Sequence, residues 1–149
     1  MLYIDSSNYQ KIIELYKNLY SQRLPYISQK SYIQFQLICR RLVHDGKVIV
    51  RHARNSENKL LASVILLREG NRLYNMISCI TNDGKRVEAN YFLYDRILNE
   101  FSNSNLVFDF EGSDVEGIAS FYKKFNPQNQ PYPFIKYNQL PALVKLFKR

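Results

Sequence analysis

The chain has 149 residues and a mass of 17.7 kDa, enough for one domain with a sizeable core. Hydrophobic residues make up 46% and aromatics 14%, which excludes wholesale disorder, and no apolar run approaches the roughly 18 residues that span a bilayer. With 21 Lys+Arg against 13 Asp+Glu the net charge is +8, a balance that favours anionic partners (nucleic acid, a phosphate-bearing cofactor, an anionic membrane surface) and equally serves solubility.

The start, Met1-Leu2-Tyr3-Ile4-Asp5, meets an acid at once and lacks a basic region before an apolar stretch. No signal peptide is expected, and a cytoplasmic location is the default. After this short apolar start, Ser6, Ser7 and Asn8 offer N-cap chemistry to a helix whose buried face is Ile12, Leu15, Tyr16 and Leu19. Pro25 is expected to end that helix. Ser28 or Ser31 can cap a second, with Phe35, Ile38, Cys39 and Leu42 at the same spacing and Asp45-Gly46 as its stop.

The middle of the chain changes character. Lys47 to His52, Leu60 to Leu67 and Leu73 to Ile80 are apolar runs separated by the polar turns Asn55–Lys59 and Glu69-Gly70-Asn71. Three such runs read as an antiparallel meander. A polar loop, Thr81 to Arg86, leads to a helix from about Val87 to Phe101, with Ala89, Phe92, Leu93, Ile97 and Phe101 as its buried stripe. Leu106 to Glu111 alternates as a strand should, and Gly112-Ser113-Asp114 turns into a short helix carrying Ile118, Phe121, Tyr122 and Phe125. Pro127, Pro131 and Pro133 precede a last strand, about 134–137, and a basic amphipathic tail, 140–149.

The order β-α-α-β-β-β-α-β-α-β predicts an α+β domain with a mixed, mostly antiparallel sheet flanked by helices. That order resembles the GNAT N-acetyltransferase superfamily. Glu88-Ala89-Asn90-Tyr91-Phe92-Leu93-Tyr94-Asp95 is similar to the helix start of the FemAB-like branch. Phe108-Asp109-Phe110-Glu111-Gly112-Ser113, followed by Gly117 to Phe125, is similar to a second block of that branch. Tyr122 takes the tyrosine position of the ordinary GNAT helix. The resemblance departs at two places: the pyrophosphate signature R/Q-x-x-G-x-G/A is replaced by Asn82-Asp83-Gly84-Lys85-Arg86, and Asn126-Pro127 follows where Gly-Phe is usual. Residues 1–149 read as a single GNAT-like domain, which could also be the C-terminal half of a tandem FemAB-like pair.

The resemblance implies a donor, acetyl-CoA or another acyl-CoA, and an amine acceptor. Gly84, Lys85 and Arg86 would receive the pyrophosphate through backbone N–H groups and positive charge at a helix entrance, although Asn-Asp-Gly is also an ordinary turn. The pantetheine arm would run along Leu73–Ile80, at Met76, Ile77 and Ser78, with Asn90 at the following helix start as a further donor contact. Tyr122 is the candidate acid for the departing thiolate and Glu111 the candidate base for the amine. Both have plain alternatives: Tyr122 lies on an apolar stripe, and Glu111 can pair with a lysine. Asp114 is expected to cap a helix.

Cys39 and Cys79 stand outside any CxxC or Cys/His spacing, which excludes a disulfide framework and a structural zinc site. Cys79 reads as a structural strand cysteine, and His44 and His52 carry no motif. Three other readings compete with acyl-CoA chemistry. One is aminoacyl-tRNA as donor, which FemAB resemblance allows; another is a GNAT shell without a donor site. The third is a tyrosine-rich nucleic-acid binder, opposed by the absence of an RNP-like or helix-turn-helix pattern. The tail could touch an anionic membrane, but such a segment more often packs on its own domain.

Overall fold

The computed structural model describes residues 1–112, 115–131, 133, 135 and 137. The chain divides into two compact units, Met1–Ser113 and Asp114–Arg149. In the first, β1 (Leu2–Ser6) leads to two helices, α1 (Tyr9–Tyr20) and α2 (Gln29–Leu42). The Asn8 side chain accepts the Lys11 N–H and the Ser28 hydroxyl accepts the Ser31 N–H, each satisfying an otherwise orphaned amide of the first turn. Helix α1 stops at Tyr20, well before Pro25, because the Arg23 and Leu24 amides both turn back to the Tyr20 carbonyl.

The meander follows as β2 (Val48–Arg54), β3 (Leu60–Glu69) and β4 (Arg72–Ile80). Next come α3 (Asn82–Arg86), α4 (Ala89–Phe101) and β5 (Val107–Asp109). The five strands form one sheet in the order β1-β2-β3-β4-β5, antiparallel throughout except for the parallel β4–β5 pair. Helices α1 and α2 cover one face, where Ile12, Ile13, Tyr32 and Cys39 meet Val50, Ile65, Ile77 and Cys79. Strand alternation sends Val64, Leu66 and Leu73 to the other face, which α4 covers with Ala89, Leu93, Tyr94 and Ile97. Each large apolar side chain so buried contributes about 1.5–3 kcal/mol. Arg51 pins α4 at its far end: it donates to Glu100 at 2.5 Å and to Asp5 at 2.7 Å, while the Tyr3 hydroxyl also donates to Glu100.

Three expectations change. Ile38 is 46% exposed, because α2 meets the sheet through Tyr32, Phe35, Cys39 and Val43, and Ile38 falls off that stripe by a helical step. The stretch 81–86 is a helix rather than a loop, capped by the Thr81 hydroxyl on the Gly84 N–H at 3.0 Å. The next helix begins at Ala89, since Glu88 holds a left-handed φ of 52° that helical continuation forbids.

In the second unit α5 (Glu116–Lys123) follows Val115, which gives no side-chain cap; Ser113 and Asp114, the expected caps, lie outside the described residues. Phe121 stacks its ring near Tyr122 and Phe125, at 5.6 and 5.4 Å between centroids. Of the strand expected at 134–137, Ile135 and Tyr137 are described; they are exposed and belong to no regular element. The tail at 140–149 lies outside the described residues. Among the described residues no helix is long and apolar enough to cross a membrane.

Candidate functional site

Strand β4 is sealed at one end and open at the other. Its first three residues pair with β5, Arg72 with Val107, Leu73 with Phe108 and Tyr74 with Asp109, and the Arg72–Asp109 ion pair at 2.8 Å fastens that end. The next rung is taken over by a side chain: Asn75 Nδ2 donates to the Phe110 carbonyl at 3.2 Å and to the Tyr94 hydroxyl at 2.7 Å. A side-chain amide standing where a backbone bond would otherwise form holds the two strands apart. One residue on, the β3–β4 register slips, so that Ile65 faces Ile77 and Leu66 faces Asn75, leaving Met76 as the extra residue. Such a bulge increases the local twist and turns the strand away from its neighbour. Met76 is 44% exposed there.

Beyond the bulge, the backbone of β4 has an edge that no strand covers among the described residues. The Ile80 N–H points to this edge and donates to the Tyr20 hydroxyl at 3.3 Å. Antiparallel pairing alternates between inward and outward backbone groups, so Ser78, two residues earlier, directs its N–H and carbonyl to the same edge. Ile77 is turned the other way, its backbone toward β3 and its side chain in the core. Tyr16 and Tyr20 line the α1 side with rings 4.9 Å apart, and burial pushes the Tyr16 hydroxyl up to about 12.

Helix α4 packs against β2 and β3. Asn90 lies one turn before Tyr94 on the same helical face, and its Oδ1 is buried with no hydrogen-bond partner among the described residues. The open edge of β4 thus offers an amide donor and a carbonyl at Ser78. An extended ligand with amide groups of its own, such as a pantetheine arm, fits those groups.

The stretch expected to hold the pyrophosphate is built differently. Gly84 is buried, and a Cβ there would stand 2.1 Å from the Leu61 carbonyl oxygen. Its lack of a side chain therefore serves contact with β3. The Gly84 N–H is used by Thr81 Oγ1 and the Lys85 N–H by the Thr81 carbonyl, both at 3.0 Å. Asp83 takes up nearby cations: it pairs with Lys59 and lies 3.6 Å from Arg86. Lys59, ahead of Arg86, holds the Asp83 carboxyl below the usual range. Lys85 and Arg86 are exposed. A diphosphate does not fit these backbone groups.

Glu111 follows β5 with Phe110 between, with φ of 54° at Glu111 and 68° at Gly112, and its N–H donates to Asp109 Oδ1 at 3.1 Å. Partial desolvation, then the Asp109 charge, push its carboxyl above the ordinary value, with Arg72 opposing. That places the candidate base one residue past the Asn75–Phe110 fork. Tyr122 lies on α5 of the second unit, half-buried beside Phe121. Cys79 is buried and its thiol is pushed up to about 12 by burial, which keeps it protonated and inert. His52 is buried with Nδ1 2.7 Å from the Ser63 hydroxyl, and burial lowers its pKa; His44 is exposed. Among the described residues no cluster of metal-ligating side chains occurs.

Asn75, Tyr94 and Tyr20 are the site residues that sequence reading passed over. Asn75 carried one signal, a carboxamide in the middle of an apolar strand. Tyr20 and Tyr94 looked like any stripe tyrosine. Two surface grooves, of about 340 Å³ between α1 and α2 and about 390 Å³ beside α3, are lined by no β4 residue.

No protein-family model matches the chain, and no curated protein matches it. Solved structures do. A possible acetyltransferase from Clostridium difficile 630 superposes with a TM-score of 0.69 at 14% identity, over 94% of this chain and 98% of that one. The ribosomal-protein-alanine N-acetyltransferase of Brucella melitensis biovar Abortus 2308 gives 0.59 at 10% identity, over 93% and 100%. The aminoglycoside 6'-N-acetyltransferase of Acinetobacter baumannii gives 0.55 at 10% identity, over 95% and 99%. Identities this low bear on fold alone and add nothing for a FemAB-like branch. The chain has the GNAT acetyltransferase fold, a mixed five-stranded sheet flanked by helices.

Proposed function

We propose that the protein is an N-acyltransferase that moves an acyl group, acetyl in the simplest case, from a CoA-type thioester to an amine. The open edge of β4 past Asn75 carries this reading, because it presents backbone groups that no strand covers among the described residues. The thioester would lie along that edge, its pantetheine amides meeting Ser78 and Asn90. An edge N–H would polarise the thioester oxygen, a role commonly worth several kcal/mol.

The amine nitrogen attacks the thioester carbon directly within a ternary complex. A C–N bond forms, the C–S bond breaks, the amine's proton passes to Glu111, and the leaving thiolate takes a proton from Tyr122. A carboxyl raised above its ordinary value is the better base near neutral pH. Residues 1–149 act as one such domain, in the cytoplasm, where CoA thioesters are available.

Thiol release from acetyl-CoA across a panel of amines tests the reading. Glu111→Gln should lower kcat/KM by about 10²-fold or more and abolish the acid limb of the pH profile, which lies above the usual glutamate value in the parent. Tyr122→Phe should lower turnover with little change in donor affinity. Absence of thiol release with every amine, together with absence of donor binding, would sink the proposal.

Two other readings each have an observation behind them. The α1–α2 hairpin, from Tyr9 to Val43, carries Lys11, Lys17, Arg23, Lys30, Arg40 and Arg41 against the single acid Glu14, which suits a FemAB-type transferase using aminoacyl-tRNA. Binding of tRNA would then weaken steeply with salt, and binding of acetyl-CoA far less. The self-satisfied amides of α3 suit a GNAT-like binding module without catalysis.

A further inference from the structure

We infer that the donor is recognised through its pantetheine arm and not through the nucleotide diphosphate of CoA, so that a pantetheine thioester without a nucleotide is an equivalent donor. This rests on the acyl-transfer reading above and concerns which part of the donor the chain holds. A thioester donor of the CoA type has two recognisable parts. The arm carries two amides and asks for extended backbone; the diphosphate asks for amide donors and positive charge. The first demand is met at β4, by the edge groups of Ser78 beyond the last β4–β5 pair.

The second demand is refused by four independent features. The Gly84 and Lys85 amides are spent on Thr81. The glycine that would permit close approach already has the Leu61 carbonyl against its bare face. Lys59 and Arg86 are directed to Asp83. The residue at the N-cap of α4 is Glu88, exposed and in the left-handed region, and a carboxylate at a helix N-terminus repels an incoming anion from the place where the dipole would otherwise attract it. A fold that keeps the arm's edge and closes the diphosphate's cradle selects for the arm. Pantetheine thioesters reach an enzyme either as small free molecules or on the phosphopantetheine arm of a carrier protein, and both share the chemistry this wedge recognises.

Binding by titration calorimetry with the full chain separates the parts without needing the acceptor. CoA and pantetheine should bind within about fivefold of one another, and adenosine 3',5'-bisphosphate should neither bind nor displace CoA. A preference for CoA of about 100-fold or more, with the nucleotide competing, would overturn the inference while leaving acyl transfer intact. Failure of both CoA and pantetheine to bind would overturn the acyl-transfer reading and this inference with it. In Glu88→Asn, which suits the left-handed backbone and removes the charge, CoA affinity should rise about two- to fivefold with pantetheine unchanged. Unchanged CoA affinity in that variant would count against it. Turnover of acetyl-pantetheine beside an acetylated carrier protein then identifies the source: a higher kcat/KM for the carrier marks a protein-borne donor, and an equal or lower one marks the free thioester.

Discussion

The end of β4 and the short helix that follows it adjoin in sequence, yet they treat their backbone groups in opposite ways. From Met76 to Ile80 the strand shows an edge that no strand covers among the described residues, and the Ile80 amide there donates to Tyr20. From Thr81 to Arg86 the chain coils on itself: the Thr81 amide goes to the Leu61 carbonyl of β3, and the Gly84 and Lys85 amides turn back to Thr81. Every backbone polar group must find a partner, and the two stretches differ in where the partner comes from. In α3 the Gly84 and Lys85 amides find it in Thr81, at the start of the same turn. At the β4 edge it is left to a tyrosine hydroxyl, to solvent or to a ligand. A binding site, in this molecule, is the stretch whose hydrogen bonding the chain does not complete by itself.

Substitutions can break or sharpen that contrast. The largest effect is expected at Gly84, where a methyl group would stand 2.1 Å from the Leu61 oxygen and drive α3 off β3. Gly84→Ala should cost about 3 kcal/mol of stability, read by denaturant unfolding. A tolerated Gly84→Ala would mean that α3 is not seated as described and that the closed half of the contrast is wrong.

A smaller loss follows at the fork. Asn75→Ala removes the bonds to Phe110 and Tyr94 and should cost about 2 kcal/mol, with faster hydrogen exchange in the residues after β5. If the wedge is held open by this one side chain, donor binding should fall as well. Unaltered exchange around Phe110 would place the cause of the opening elsewhere. The smallest effect is expected for Tyr20→Phe, below about 1 kcal/mol, because an amide on an open edge can turn to water. Exchange at Ile80 should nevertheless accelerate. A loss larger than that of Asn75→Ala would show that the edge is sealed rather than open.

Much of the fold was legible because periodicity is local. The spacing of Ile12, Leu15, Tyr16 and Leu19 announces α1, and the three apolar runs with polar turns announce the meander. The caps of α1 and α2 were legible to within a few residues, since Asn8 and Ser28 act on amides three positions away. Ile38 was misread for the same reason that makes periodicity useful: the pattern gives a face, and only the packed sheet decides where that face is centred. The candidate site was less legible: Gly84 is a packing residue against β3 and Ile77 is turned inward, both decided by strands distant in sequence.

By itself, then, the sequence determined the order of most elements, because each helix and strand follows from neighbours a few positions apart. Tertiary structure alone decided that Asn75 bridges β4, β5 and α4, that Tyr20 reaches the Ile80 amide sixty positions away, and that Leu61 lies against Gly84. The reason is physical. Backbone groups are identical in every residue, so whether one is open to a ligand depends on which distant strand or side chain has arrived beside it, and no local pattern records that.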